Sequence, residues 1–370
     1  MRLRRTLLGA TLLAATAVLQ AQQQPVFRTA VNYVEVDAVV TDADGHFVPG
    51  LTADDFQVRE QRQLQQIATF TYIDLPIGPA AASTTPSPVR FRPDLAPAER
   101  VDADRIYLIY LNGASRPLIR HRATDFVRDY MQPRDIAAVW DAEAPGKTIE
   151  FTSDKDALLN TIDASRDARG APAADRGGVE GRRLREAIDW LSAMQGRRKS
   201  LLLFTEGWTL PPTGERERAK RDRDVTEWLQ GRRPGPMVEG TLLNPTDITG
   251  QSDVHIYSYD VRGLVAPVPG SAITGVKGLD PGDMIAAPYR NLADNVAVLR
   301  SISEQTGGRA FVESNDYRLG FTRIVEDNSK YYILGYASSN GKPDGLFRTL
   351  DVRVTRPGVT VRARDGYVAR

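Results

Sequence analysis

The chain has 370 residues, 48 Lys+Arg against 47 Asp+Glu, and no cysteine. A net charge near zero argues against a nucleic-acid partner, which would want a basic face. The absence of thiols excludes disulfides, a thiol nucleophile and a thiolate metal site. An apolar content of 41% with 26% charged residues fits a globular protein with a real core, long enough for two or three domains.

In chain order, Arg2, Arg4 and Arg5 precede the apolar run Leu7 to Leu19, and Ala21 is followed by a Gln-rich stretch. This is the layout of a secretory signal peptide over residues 1–21, and it predicts export to the periplasm or beyond. An uncut membrane anchor is the alternative. Cleavage after Ala21 would remove three arginines and no acid, leaving 45 Lys+Arg against 47 Asp+Glu, a net charge of −2. The mature chain has no second apolar run of that length, so no membrane insertion is expected of it.

Val31 to Val40 alternates apolar and polar residues, the pattern of a half-buried strand, and Asp44-Gly45 signals a hairpin. Leu51 to Phe56 reads as a short turn capped by Thr52, and Phe56 to Glu60 and Ile67 to Ile73 as strands. Residues 30–75 thus form a small β module, marginal as a core on its own. Residues 76–100, rich in Pro, Ala, Ser and Thr, read as a linker.

Arg105 to Ser115, RIYLIYLNGAS, has a continuous apolar core, Ile106 to Leu111, broken at Asn112-Gly113. That pattern predicts a strand buried on both faces. Ile119, Ala123, Phe126, Val127 and Tyr130 then mark one face of a helix. Further strands are predicted at Asp135–Trp140, Thr148–Thr152, Lys199–Thr205, Val254–Tyr259 and Ala310–Val312. Helices are predicted at Asp154–Ile162, through Leu184, Ala187, Ile188, Leu191 and Met194, at Asn291–Thr306, and through Tyr317, Phe321, Ile324 and Val325. Arg166–Gly181, 231–252 and 265–290 read as loops, and Glu215–Gln230 as a solvated helix. Strands alternating with helices over 101–330 imply an α/β fold with a parallel sheet covered on both faces. Residues 331–370 return to alternating strands, expected to pack with the N-terminal module.

In parallel α/β sheets ligands gather beyond the carboxyl ends of the strands. The residues that leave those ends are Asn112, Ser115, Asp141, Glu206 and Asp260, which makes them the candidate site residues. The bland reading is that they cap helices and brace loops. The three histidines, His46, His121 and His255, lie in different segments without metal-ligand spacing. No G-x-S-x-G elbow, G-x-G-x-x-G or P-loop is present, although counting residues does not exclude a Ser-His-Asp set.

Several stretches are similar to one family. VDAVVTDADGHFVPGLTADDF at 36–56, IYSYDVRGL at 256–264, TGGRAF at 306–311, YYILGY at 331–336 and VTRPGVTVRARDGYVA at 354–369 carry the likeness. In their order and spacing the chain resembles the exported bacterial proteins described as von Willebrand factor A-related (VWFA-related), from about residue 30 to the end. The resemblance implies a Rossmann-like A-type α/β domain flanked by β elements, and little about activity. It also implies a place to look for a divalent cation, the metal-ion-dependent adhesion site. That site is built from a D-x-S-x-S loop after the first strand, a Thr from a second loop and an Asp from a third.

The sequence departs from that pattern. Asn112 stands at the Asp position, Ala114 and Arg116 at the two Ser positions with Ser115 between them, and Glu206 near the later Asp. The stretch Asp175–Gly181 has no Thr. The expectation is therefore a degenerate adhesion site on a non-enzymatic protein that docks a protein partner through the loops at the sheet's carboxyl edge, with no resident metal or cofactor. Two alternatives stay open: a periplasmic hydrolase using the sheet-edge acids, and a metal-dependent adhesion module, for Mg²⁺ among others, with unusual ligands.

Overall fold

The computed structural model describes residues 33–78, 90–91, 104–113, 115–144, 150–165, 176–194, 198–207, 253–264 and 281–369. The leader 1–21, most of the linker, the charged stretch 215–230, and the loops 231–252 and 265–280 lie outside the described residues.

The chain opens with β1 (Tyr33–Thr41), a 3₁₀ turn at Ala53–Asp55, β2 (Phe56–Glu60), β3 (Gln63–Gln65), β4 (Ile67–Asp74) and β5 (Arg90–Phe91). Next come β6 (Ile106–Leu111), α1 (Arg116–Asp125) running into a π-helical turn at Phe126–Tyr130, β7 (Ile136–Asp141), β8 (Phe151–Thr152), α2 (Lys155–Asp163) and α3 (Arg176–Ser192). Then follow β9 (Lys199–Thr205), β10 (Val254–Asp260), α4 (Pro281–Gln305), β11 (Arg309–Phe311), α5 (Tyr317–Ser329) and the strands β12 (Lys330–Ala337), β13 (Phe347–Val354), β14 (Thr360–Arg362) and β15 (Gly366–Val368).

The large sheet has the order β11-β10-β9-β6-β7-β8-β5. Its first five strands run parallel, while β8 pairs antiparallel with β7 and β5 pairs antiparallel with β8. Every residue of β6, β9 and β10 is buried, which is why these segments carry no polar alternation. One face packs Leu108, Leu201 and Ile256 against Leu184, Ile188 and Leu299. The other packs Tyr107, Leu202 and Tyr257 against Ile119, Phe126, Phe321 and Ile324.

Three sequence expectations need correcting. The linker is not featureless, because Arg90–Phe91 pairs with β8 and closes the sheet. Helix α3 begins at Arg176, inside a stretch read as loop for its glycines, and α4 begins at Pro281 and runs through Pro288, ten residues earlier than its apolar face suggests. Gly and Pro lower local helix propensity, but tertiary context overrides a local preference of that size.

Two antiparallel sheets, β14-β1-β12-β4 and β15-β13-β2-β3, enclose a second core around Val36, Val58, Tyr332, Leu334 and Tyr336. Strands from the two ends of the chain pair directly, β1 with β12 and β2 with β13. An aromatic cluster of Phe47, Phe56, Phe70 and Tyr72 around Tyr332, with ring centroids 5.3–5.5 Å from it, fills the space between them.

The two cores meet across buried charge. Asp37 of β1 accepts from His255 Nε2 of β10 at 3.1 Å, and Arg198 Nη1 lies 3.8 Å from the same carboxylate. Arg362 of β14 bonds to Asp327 of α5. Burial and the positive charge of Arg198 push the His255 imidazole below its ordinary value, outweighing the Asp37 hydrogen bond, so it is neutral at neutral pH. The unfolded chain then binds a proton that the folded one does not. Stability from this group is full above pH 6.5 and is lost as pH falls through and below it. A His255→Asn variant should therefore lose less stability than wild type between about pH 7 and 5, read from urea midpoints. An unchanged pH slope would contradict the assignment.

Candidate functional site at the carboxyl edge of the parallel sheet

Asp260, Glu206, Asn112 and Asp141 follow or end β10, β9, β6 and β7, four neighbouring strands that point the same way. The sheet therefore brings all four to one edge. Strands lie about 4.8 Å apart, so Asp141 and Asp260, three strands from each other, are separated by about 14 Å along that edge. This exceeds the roughly 5–9.5 Å at which two carboxylates share one glycosidic centre.

Asn112 is buried. Its backbone N–H donates to Phe204 O at 3.0 Å and its Nδ2 to Thr205 Oγ1 at 3.3 Å, tying the end of β6 to the end of β9. Gly113 has φ +130°, and a Cβ there would meet Ile119 Cδ1 at 3.1 Å and Glu206 Oε2 at 3.3 Å. The turn thus needs glycine both for its backbone and for the approach of Glu206. Ser115 is exposed at the N-cap of α1. Its carbonyl accepts from Leu118 and Ile119, but its hydroxyl makes no capping bond, contrary to the capping role suggested by sequence. Ala114 lies outside the described residues.

Arg116, the first residue of α1, is fully buried, and its Nη2 donates to Asp141 Oδ1 at 2.7 Å. The same oxygen accepts from Glu143 N at 3.0 Å. On β10, Asp260 is clamped by Arg262, whose N, Nε and Nη2 reach its two oxygens at 3.0, 2.9 and 2.7 Å. Two of the three acids at the edge are therefore neutralised by guanidiniums from their own or the next loop. Sequence reading noted the charge of Arg116 but missed both clamps. The D-x-R spacing at Asp260 was the one available signal for the second.

These contacts bear on a divalent cation. Two buried acceptors, Asn112 Oδ1 and Asp141 Oδ2, have no partner among the described residues. They are a neutral amide and the second oxygen of a carboxylate already paired with arginine. Mg²⁺ favours one or two uncompensated carboxylates in an octahedral oxygen set. Arginine already compensates two of the three carboxylates at this edge, so its residues do not fit a divalent ion.

The histidines are dispersed. His46 and His121 are exposed beside Asp42 and Asp125. Asp42, Asp44 and His46 approach within 4.8 Å on the first hairpin, but Asp42 Oδ1 is occupied as the acceptor of the Asp44 and His46 N–H groups. Ser200 and His255 are register partners and Asp37 bonds to His255, but these three residues do not form a Ser-His-Asp relay. Ser200 is fully buried and its hydroxyl donates to Asn328 Oδ1 at 2.6 Å, not to the imidazole. The geometry presents no nucleophile to solvent there.

Fold and edge together define a mixed α/β protein with a mostly parallel sheet, joined to antiparallel sheets, whose parallel-strand ends are braced by internal ion pairs. No family model and no curated protein matches the chain. Among solved structures it is similar to an aerotolerance-related membrane protein from Bacteroides fragilis NCTC 9343, in a form with multiple mutations to serine. The likeness has a TM-score of 0.32 and 11% identity over 60% of this chain and 96% of that one, a level that carries no argument about activity. No helix among the described residues is long and apolar enough to cross a membrane.

Proposed function

We propose that residues 101–330 form a von Willebrand A-type domain and that the chain is an exported, non-enzymatic protein that docks a protein partner through the loops around Asn112, Ser115, Asp141, Glu206 and Asp260, without a resident cation. The observation that carries this reading is the buried Arg116–Asp141 pair. A fixed positive charge stands on the carboxylate at the edge where A-type domains hold their ion, so the loops are held in shape without one. With Asp141 and Asp260 both clamped, neither carboxylate is free to activate water. Exposed Ser115 and half-buried Glu206 stand at the rim.

The test has two arms. Millimolar Mg²⁺, Mn²⁺ or Ca²⁺ is expected to leave the melting temperature unchanged, whereas an ion at a hundred times its Kd would add about 2.7 kcal/mol. In envelope extract, Ser115→Arg/Glu206→Arg should lose a protein that wild type retains, with the circular dichroism unchanged. An identical captured set would remove the docking reading.

A further inference from the structure

The hairpin between β2 and β3 turns on Gln61 and Arg62, with φ of 48° and 71°. A two-residue loop with both φ values positive ordinarily calls for Asn-Gly or a similar pair. Long side chains held left-handed cost backbone energy, and such positions cluster where the side chain is used. Beside this turn, Arg59, Arg62, Thr349, Leu350, Asp351 and Arg353 line a cleft of about 390 Å³, a volume in the range of small-molecule sites. Arg353 is engaged, with its Nε and Nη2 on the two oxygens of Asp351 at 3.2 and 2.9 Å. Arg59 lies opposite Asp351 in the ladder, yet its Nε is buried without a partner among the described residues. On its other side its ladder partner is Leu64, 64% exposed.

We propose that this cleft binds an oxyanion, the carboxylate or phosphate group of a small ligand, held between Arg59 and Arg62. Three guanidiniums face one carboxylate, so the cleft is two charges positive. The planar fork of arginine matches both kinds of oxyanion. The strained turn gives Arg62 its position: a glycine would relax the backbone there but supply no donor. The site lies on a different sheet from the edge described above and does not depend on the docking reading.

Isothermal titration with succinate, inorganic phosphate and chloride at matched ionic strength tests it. Saturable one-to-one binding of succinate or phosphate, absent with chloride, is expected, and the tighter of the two names the ligand's head group. Arg59→Gln/Arg62→Gly should weaken that binding at least tenfold. Arg62→Gly alone should keep or raise the melting temperature, since glycine suits φ +71°, while still weakening binding, so it decides the matter if the double variant fails to fold. No saturable binding by wild type in the millimolar range, or equal affinity in the variants, would overturn the proposal.

Discussion

Glu60→Ala is expected to lower stability by about 3–5 kcal/mol, the cost of removing one partner from a buried charge pair. Glu60 is the last residue of β2 and points with Phe56 and Val58 into the second core. Its oxygens accept from Tyr336 OH at 2.8 Å, Tyr367 OH at 2.9 Å, Ser338 Oγ at 2.7 Å and Arg348 Nη1 at 3.4 Å. Arg348 is itself buried and also donates to the carbonyls of Asn340 and Lys342, fixing the turn before β13. Burial first, then the Glu60 carboxylate, holds the Tyr336 phenol far above its ordinary range, so it stays a donor. Alanine would leave two phenols, a hydroxyl and a guanidinium without their acceptor. Whole domains are stable by only about 5–15 kcal/mol, so this is a large fraction. Glu60→Gln keeps one acceptor and should lose less. Urea midpoints at unchanged slope measure both, and a loss under about 1 kcal/mol for alanine would show that the cluster is not a structural centre.

Arg116→Ala should cost about 3 kcal/mol, at the lower end of the same range because Asp141 stands at the rim, where water reaches it after relaxation. The loss removes the donor to Asp141 Oδ1 and leaves that carboxylate with the Glu143 N–H alone. Arg116→Lys keeps the charge without the fork and should recover only part of the loss. If the loops use this pair to hold their shape, Arg116→Ala should also weaken partner capture more than its melting temperature alone predicts. Stability within about 0.5 kcal/mol of wild type, the usual effect of a surface change, would contradict the internal-cation role.

Much of the α/β region is legible along the chain because each buried strand is one apolar run. Ile106–Leu111 is the clearest case: six residues buried on both faces can be nothing but apolar, and Asn112-Gly113 marks where they stop. The face Ile119, Ala123, Phe126, Val127 and Tyr130 is read equally well from its period, and all five pack on one side of the sheet. Short elements are not legible. Arg90–Phe91 becomes a strand only because β8 is there to pair with it.

At the edge, the sequence determines which residues stand at the strand ends, since strand boundaries follow from local pattern. It does not determine which of them face a partner charge. Arg116 and Asp141 are 25 residues apart and meet only because β6 and β7 are neighbours in register, Leu111 beside Asp141. Glu60 reads as an ordinary charge at the end of a strand, and becomes the centre of a core only when Tyr336, Arg348 and Tyr367, 276 to 307 residues on, close over it. Local patterning needs only the free energy of burying one face. The pairing of distant charges depends on strand order, which no single segment encodes, and so the tertiary structure alone decided it.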